Sequence, residues 1–174
     1  MKTGIVGLGL RAANVLKMLL EDLPEIDLVG YVDPDPCGLS ILDDVSHNLN
    51  RFENLDEMID KCHLDLLWVA SPNHLHLEHI KIGLEAGLKV FSEKPIVTSR
   101  EDSFSLARLI KKYGESQLIV GLVLRYSVHM RELKRVLDAG TLGNITSLEA
   151  NEHIAPYHGS FFMRDWRRLK RYSG

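Results

Sequence analysis

Cysteine is scarce in this chain: Cys37 and Cys62 are the only two among 174 residues. Two cysteines in a chain of this length make no disulfide framework, so a packed core must hold the fold, and a cytoplasmic setting is expected. Long apolar runs are also missing. None approaches the ~18 residues that would suggest a membrane span. Met1-Lys2-Thr3-Gly4-Ile5 leads directly into a strand pattern, without the apolar core of a signal peptide. No membrane partner is therefore expected. There is no repeat and no low-complexity segment. Neither sign of charge dominates, since 21 Lys and Arg against 24 Asp and Glu leave a net charge of −3. An acidic body with no recognition module argues against nucleic acid as a partner.

What is present suits a globular protein, with 45% hydrophobic and 26% charged residues. The length allows one domain, or one domain and part of a second. Strand and helix patterns alternate. Thr3 to Val6 reads as a strand, Leu10 to Leu20 as a helix stopped before Pro24, and Ile26 to Val32 as a second strand ended by Asp33-Pro34-Asp35-Pro36. Residues 38–49 read as a polar helix or loop, and Phe52 marks a short third strand. Asn54 and Glu57 have capping-box spacing for a helix through Lys61. Asp65 to Ala70 is a continuous apolar strand of the doubly buried kind. A helix carrying Leu77, Ile80 and Leu84 ends at Gly87, and Leu88 to Phe91 is the next strand. Ser99 caps a helix over Arg100 to Tyr113, and Gln117 to Gly121 is a sixth strand. Met130, Leu133 and Leu137 then mark a helix, and Asn144 to Asn151 a final strand. This alternation predicts an α/β fold, a Rossmann-type doubly wound parallel sheet with right-handed crossovers. Six strands suffice for one such domain over residues 1–121. Residues 122–174 then begin an incomplete α+β second domain.

Three constellations carry chemistry. Gly7-Leu8-Gly9-Leu10-Arg11-Ala12 reads G-x-G-x-x-A between a strand and a helix. The first glycine permits the tight turn, the second admits a pyrophosphate to the backbone, and the small third residue lets the helix pack on the sheet. The helix N-terminus, at Leu10 and Arg11, offers free N–H groups to phosphates. Asp33, 21 residues after Ala12, ends the second strand, where an acid hydrogen-bonds ribose hydroxyls. With Pro34 and Asp35 beside it and no arginine nearby in sequence, a 2′-phosphate is repelled, which favours NAD over NADP. Ser71-Pro72-Asn73-His74-Leu75-His76 follows the apolar strand, placing a turn at the carboxyl edge of the sheet against a cofactor; the plainer roles are a turn, an N-cap and surface histidines. His74, His76 and His79 invite a metal, but only His76 and His79 share a helix face and no other ligand accompanies them, so no metal is expected. Lys94, within Glu93-Lys94-Pro95 at a strand end, is the candidate acid/base, with a surface lysine as its plain alternative.

These residues together resemble the Gfo/Idh/MocA oxidoreductase family. The resemblance rests on Gly7-x-Gly9-x-x-Ala12, Val32-Asp33, Val69-Ala70-Ser71-Pro72-Asn73-x-x-His76, Glu85-Ala86-Gly87-Leu88-Lys89-Val90 and Glu93-Lys94-Pro95, with Arg125-Tyr126, Gly140-Thr141-Leu142-Gly143 and Trp166-Arg167 further on. It spans almost the whole chain. It implies NAD(P)-dependent hydride transfer on sugars, cyclitols or related polyols. It implies Lys94 as the active-site lysine, and Gly7, Leu8, Gly9, Leu10, Arg11, Asp33, Ala70, Ser71, Pro72, Asn73, His76, Glu93, Lys94 and Arg125 as cofactor contacts. A second domain that contacts substrate and forms a homo-oligomer in the full-length form is also implied. In the family, a glycine-rich stretch after Trp-Arg leads to an Asp and a His that complete the catalytic group. This chain stops at Ser173-Gly174, so a truncated form lacking both is expected. The alternative reading is a non-catalytic dinucleotide-binding module, a redox sensor or regulatory subunit.

Charge is unevenly placed along the chain. Residues 164–171 hold five bases, Arg164, Arg167, Arg168, Lys170 and Arg171, against one acid, Asp165. A solvated basic segment is the plain reading. Contact with a dinucleotide pyrophosphate or an acidic neighbouring subunit is the sharper one.

Overall fold

The computed structural model describes residues 1–42 and 49–174. The chain forms two compact units, Met1–Gly121 with Leu169–Gly174, and Leu122–Arg168. Residues 169–174 thus pack with the first unit, although sequence groups them with the second segment.

The first unit is a six-stranded, wholly parallel sheet flanked by helices. Its strands are β1 (Lys2–Val6), β2 (Asp27–Val32), β3 (Asn50–Arg51), β4 (Leu66–Val69), β5 (Lys89–Ser92) and β6 (Leu118–Val120), in the spatial order β3-β2-β1-β4-β5-β6. This is the doubly wound order, with its reversal between β1 and β4, where such sheets open a crevice at their carboxyl ends. The helices of this unit are α1 (Leu10–Asp22), α2 (Leu55–Cys62), α3 (His76–Glu85) and α4 (Arg100–Tyr113). Two apolar clusters cover the two faces of the sheet. One gathers Met58, Leu67, Val69, Ile80, Leu84 and Val90; the other gathers Ile5, Leu8, Ala13, Leu16, Tyr31 and Trp68. Alternate residues of β4 supply both, since Leu67 and Val69 face one way and Trp68 the other.

Local signals act where they stand. Asn54 Oδ1 accepts from the Glu57 N–H at 2.9 Å, and Ser99 Oγ accepts from the Asp102 N–H at 3.0 Å. Each such cap satisfies a helix-end donor and contributes about 1 kcal/mol. The reciprocal half of the Asn54 box is displaced by one residue, because Glu57 Oε2 accepts from Glu53 N–H. Gly87, with φ +78°, closes the chain past α3. The third strand ends just before Phe52, whose N–H still donates to Tyr31 O at 2.9 Å. Part of the expected segment 38–49 is the 3-10 turn Leu39–Ile41; residues 43–48 lie outside the described residues.

The second unit carries α5 (Val128–Asp138) and the short α6 (Pro156–Gly159), and α7 (Lys170–Ser173) packs with the first unit. The strand expected over 144–151 does not form; those residues are exposed, irregular chain. A strand needs a hydrogen-bonding neighbour, and no described strand pairs with them. Among the described residues no helix is long and apolar enough to cross a membrane.

Candidate functional site

One row of backbone hydrogen bonds closes the carboxyl edge of the sheet. In register, Val32 lies opposite Val6, Val6 opposite Val69, Val69 opposite Ser92, and Ser92 opposite Val120. One step further, Gly7 N–H donates to Val32 O (2.9 Å), Ala70 N–H to Val6 O (2.8 Å), Glu93 N–H to Val69 O (2.9 Å) and Gly121 N–H to Ser92 O (2.8 Å). Asp33, Gly7, Ala70 and Glu93 therefore leave the sheet at the same level. The candidate segments, far apart in sequence, meet along this line.

At the centre, Gly7 has φ +88°, and a Cβ there would lie 2.4 Å from Ser71 N and 2.5 Å from Ala70 C and O. The β1 turn thus packs backbone against backbone on the turn after β4. Gly9 differs. It caps α1 with φ −77° and ψ 170°, and a Cβ on it would meet nothing within 4 Å. Among the described residues no side chain caps α1, and its first turn holds no acid. The first N–H groups of α1 and the positive end of its dipole therefore stand next to the open space at Gly9. Leu10 and Arg11, which open the helix, are exposed.

Asp33 braces this turn from the side. Its Oδ2 accepts from Leu8 N–H at 2.6 Å and its Oδ1 from Asp35 N–H at 2.8 Å. An ionised carboxylate offers about four lone-pair sites, so two remain. Behind it, Gly38 N–H donates to Leu8 O at 2.9 Å. One residue of this corner carries no local sequence signal: Arg51, from β3, donates through Nη2 to Pro34 O at 3.4 Å. The arginine missing from the neighbourhood of Asp33 in sequence is present in space, because β3 pairs with β2.

On the other side of Gly7, Ser71 is buried and Pro72 and Asn73 are half-buried ahead of the 3-10 turn Asn73–Leu75. Asn73 Nδ2 donates to Ser173 O at 3.4 Å, and the His74 ring lies 4.5 Å from that of Tyr172. The C-terminal turn α7 thereby covers this segment. His76 is 1% exposed, with Nδ1 2.7 Å from Pro95 O and Nε2 2.8 Å from Ser71 O. Its ring lies between two backbone carbonyls, one in the turn after β4 and one in the segment after β5. Among the described residues no group of three histidine, cysteine or acidic side chains is placed to hold a metal. Lys94 stands exposed beyond β5, next to half-buried Glu93, and its bond to Pro95 is cis. Arg125 belongs to the second unit, in the 3-10 turn Val123–Tyr126.

His79 Nδ1 lies 2.8 Å from Ser71 Oγ. Burial pushes the His79 ring below the ordinary histidine range, with the charge of Glu78 opposing and His76 and His74 adding to the shift. Below about pH 6.5 an unfolded histidine takes up a proton while the folded ring resists it. The unfolded chain then binds more protons, so stability falls as pH drops through this window towards the folded value, and is flat in this respect above it. His79→Asn is expected to flatten the dependence of the urea midpoint between about pH 7 and pH 5. An unchanged slope would remove His79 from the acid response.

A family model described as an oxidoreductase family with an NAD-binding Rossmann fold matches residues 1–122. The chain belongs to the Gfo/Idh/MocA oxidoreductase family. Among relatives of this family, YteT of Bacillus subtilis, whose name carries only the general term oxidoreductase, is 29% identical across 97% of this chain and 41% of its own length. Inositol 2-dehydrogenase 3 of Saccharopolyspora erythraea is 27% identical across 82% of this chain and 42% of its own. The crystal structure of scyllo-inositol dehydrogenase from Lactobacillus casei, with bound NAD(H) and scyllo-inositol, is 28% identical with a TM-score of 0.75, covering 84% of this chain and 43% of that one. The chain spans about two-fifths of the length of the curated relatives it matches.

Proposed function

We propose that this chain serves NAD-dependent hydride transfer between nicotinamide and a hydroxyl or keto carbon of a sugar, cyclitol or related polyol. The observation that carries this reading is the open glycine turn at Gly9, with uncapped helix donors on one side and the braced Asp33 carboxylate on the other. Space, donors and acid suit a dinucleotide. The backbone of Gly7, Leu8 and Gly9 and the first N–H groups of α1, at Leu10 and Arg11, hold its pyrophosphate. The remaining Asp33 lone pairs accept from the adenosine ribose. Ala70, Ser71, Pro72 and Asn73 form the wall nearest the reversal in strand order, and Glu93 flanks it.

When bound, the nicotinamide supplies the hydride exchange. Lys94 Nζ handles the matching proton at the substrate oxygen, taking it as the alcohol is oxidised and returning it as the ketone is reduced. His76 positions both turns through its two carbonyl contacts. The substrate class is supported by the inositol dehydrogenases among the relatives. We assign residues 122–168 to the substrate and oligomer side of the enzyme, in keeping with the part-exposed stripe of Met130, Leu133 and Leu137 on α5.

Titration with NADH, followed by nicotinamide fluorescence, tests the reading. Gly9→Ser is the informative variant, because its backbone suits any residue and serine is a good helix cap. The added side chain fills the open space and occupies a helix donor. NADH affinity is expected to fall about tenfold or more, roughly 1.4 kcal/mol, while the thermal midpoint stays unchanged. Equal binding by both proteins would sink the assignment. Binding without turnover of any polyol by a complete chain would favour the non-catalytic module.

A further inference from the structure

The C-terminal turn α7 is four residues long. Tyr172 N–H and Ser173 N–H donate to Leu169 O at 2.9 and 3.2 Å, and Gly174 N–H donates to Lys170 O at 2.9 Å. So few bonds do not hold a helix in water, because the first turn costs more order than it gains. Packing on the sheet unit, to which residues 169–174 belong, therefore holds it. The Tyr172 ring is half-buried, 4.5 Å from the His74 ring, a distance at which aromatic rings attract. The Arg171 guanidinium lies 4.6 Å from the same tyrosine ring. Asn73 Nδ2 donates to Ser173 O at 3.4 Å, a longer and weaker contact. A Cβ built on Gly174 would lie 3.3 Å from Thr98 O.

One short turn thus touches the segments after β4 and after β5, which are neighbouring strands. The segment after β4 is fixed at both ends. At one end Ala70 and Ser71 pack backbone to backbone on Gly7, and at the other His76 is buried with Pro95 O 2.7 Å from Nδ1. Between them the 3-10 turn Asn73–Leu75 is part-exposed, and among the described residues no side chain caps it. Tyr172 and Ser173 lie on this middle stretch.

We propose that residues 172–174 are a positioning element of the dinucleotide site, with Tyr172 holding the Ser71–His76 turn through His74 so that docking of α7 and dinucleotide binding strengthen one another. The proposal rests on the dinucleotide reading above. Tyr172 acts through a short series of contacts. Its ring lies on His74, His74 shares a turn with Ser71, and Ser71 packs on Gly7 of the glycine turn. The element has two states, α7 docked with its hydrogen bonds made, and α7 released with them lost to water. A dinucleotide that needs the wall beside Gly7 in place favours the docked state. Linkage then makes the effect reciprocal: the factor that docking adds to affinity is the factor that binding adds to docking.

Two measurements on the whole chain test it, for the parent, Tyr172→Ala and Tyr172→Phe. One is NADH titration by nicotinamide fluorescence; the other is hydrogen exchange at the amides of Tyr172, Ser173 and Gly174, with and without NADH. Tyr172 lies outside both apolar clusters of the sheet, so the thermal midpoint should hold in both variants. In the parent, NADH is expected to slow exchange at these three amides about fivefold, the lower end of typical coupling between sites. Tyr172→Ala is expected to bind NADH about fivefold more weakly and to lose the protection at these amides. Tyr172→Phe keeps the ring and is expected to match the parent in both. If the parent binds NADH but Tyr172→Ala binds it equally or more tightly, the positioning role is overturned and the dinucleotide reading stands. The same holds if Tyr172→Phe falls with Tyr172→Ala, or if NADH leaves the exchange of the parent unchanged. If the parent binds no NADH, both fall together.

Discussion

Gly7→Ala is expected to destabilise the first unit by about 3 kcal/mol or more, through two costs that add at one atom. An L-residue held at positive φ costs roughly 1–2 kcal/mol, and Gly7 sits at φ +88°. The new Cβ would also fall 2.4 Å from Ser71 N and 2.5 Å from the Ala70 carbonyl. These are backbone atoms of a turn already tied by Ala70 N–H to Val6 O and by Ser71 O to His76. Nothing there can give cheaply, so overpacking adds about 1–3 kcal/mol. Against a typical total of about 5–15 kcal/mol, the loss is large. In a chain of this size it lowers the thermal midpoint by roughly 6–12 °C, at about 2–4 °C per kcal/mol. Thermal and urea unfolding of the variant measure it. A shift under about 2 °C would mean that the two turns do not pack backbone to backbone. The contrast with Gly9→Ser separates the two glycines: one is required by the fold, the other by the dinucleotide proposed to bind there.

In the full-length form, Lys94→Ala is expected to lower kcat by about 10²- to 10⁴-fold, the range supplied by a positioned general acid or base. The unfolding midpoint should stay unchanged, because Lys94 is exposed and no described side chain engages its ammonium. NADH affinity should move little, since the pyrophosphate and ribose contacts proposed at Gly9 and Asp33 lie on other strands. The measurement is NAD⁺ reduction across a panel of inositols and sugars, with kcat and KM read separately. A rise in KM alone would assign Lys94 to substrate binding and remove it from proton transfer. Unchanged turnover would leave the proton-transfer role without support.

Much of the candidate site is legible in short stretches of the amino-acid sequence. The G-x-G-x-x-A spacing, the acid at the end of β2 and the lysine at the end of β5 are each set by neighbours a few residues away. So are the caps at Asn54 and Ser99 and the left-handed turn at Gly87. Local patterns mislead where the deciding partner is distant. The segment 144–151 has strand-like composition, yet no described strand runs beside it. His76 reads as a residue near a cofactor, and its neighbour Pro95 O, 2.7 Å from Nδ1, comes from a segment that its own surroundings in sequence do not announce. Arg51 gives no signal at all from its own neighbourhood.

The sequence by itself determined which segments are strands and helices in the sheet unit, and where its turns and caps fall. Turn sterics, helix-end hydrogen bonding and hydrophobic periodicity act over about four residues, and local order carries them. Only the tertiary structure decided which turns face one another. The strand order puts Gly7 against Ala70 and Ser71, Arg51 beside Pro34, and Glu93 level with Asp33. Those meetings depend on crossovers and strand pairing between residues far apart in the chain, which no local spacing encodes.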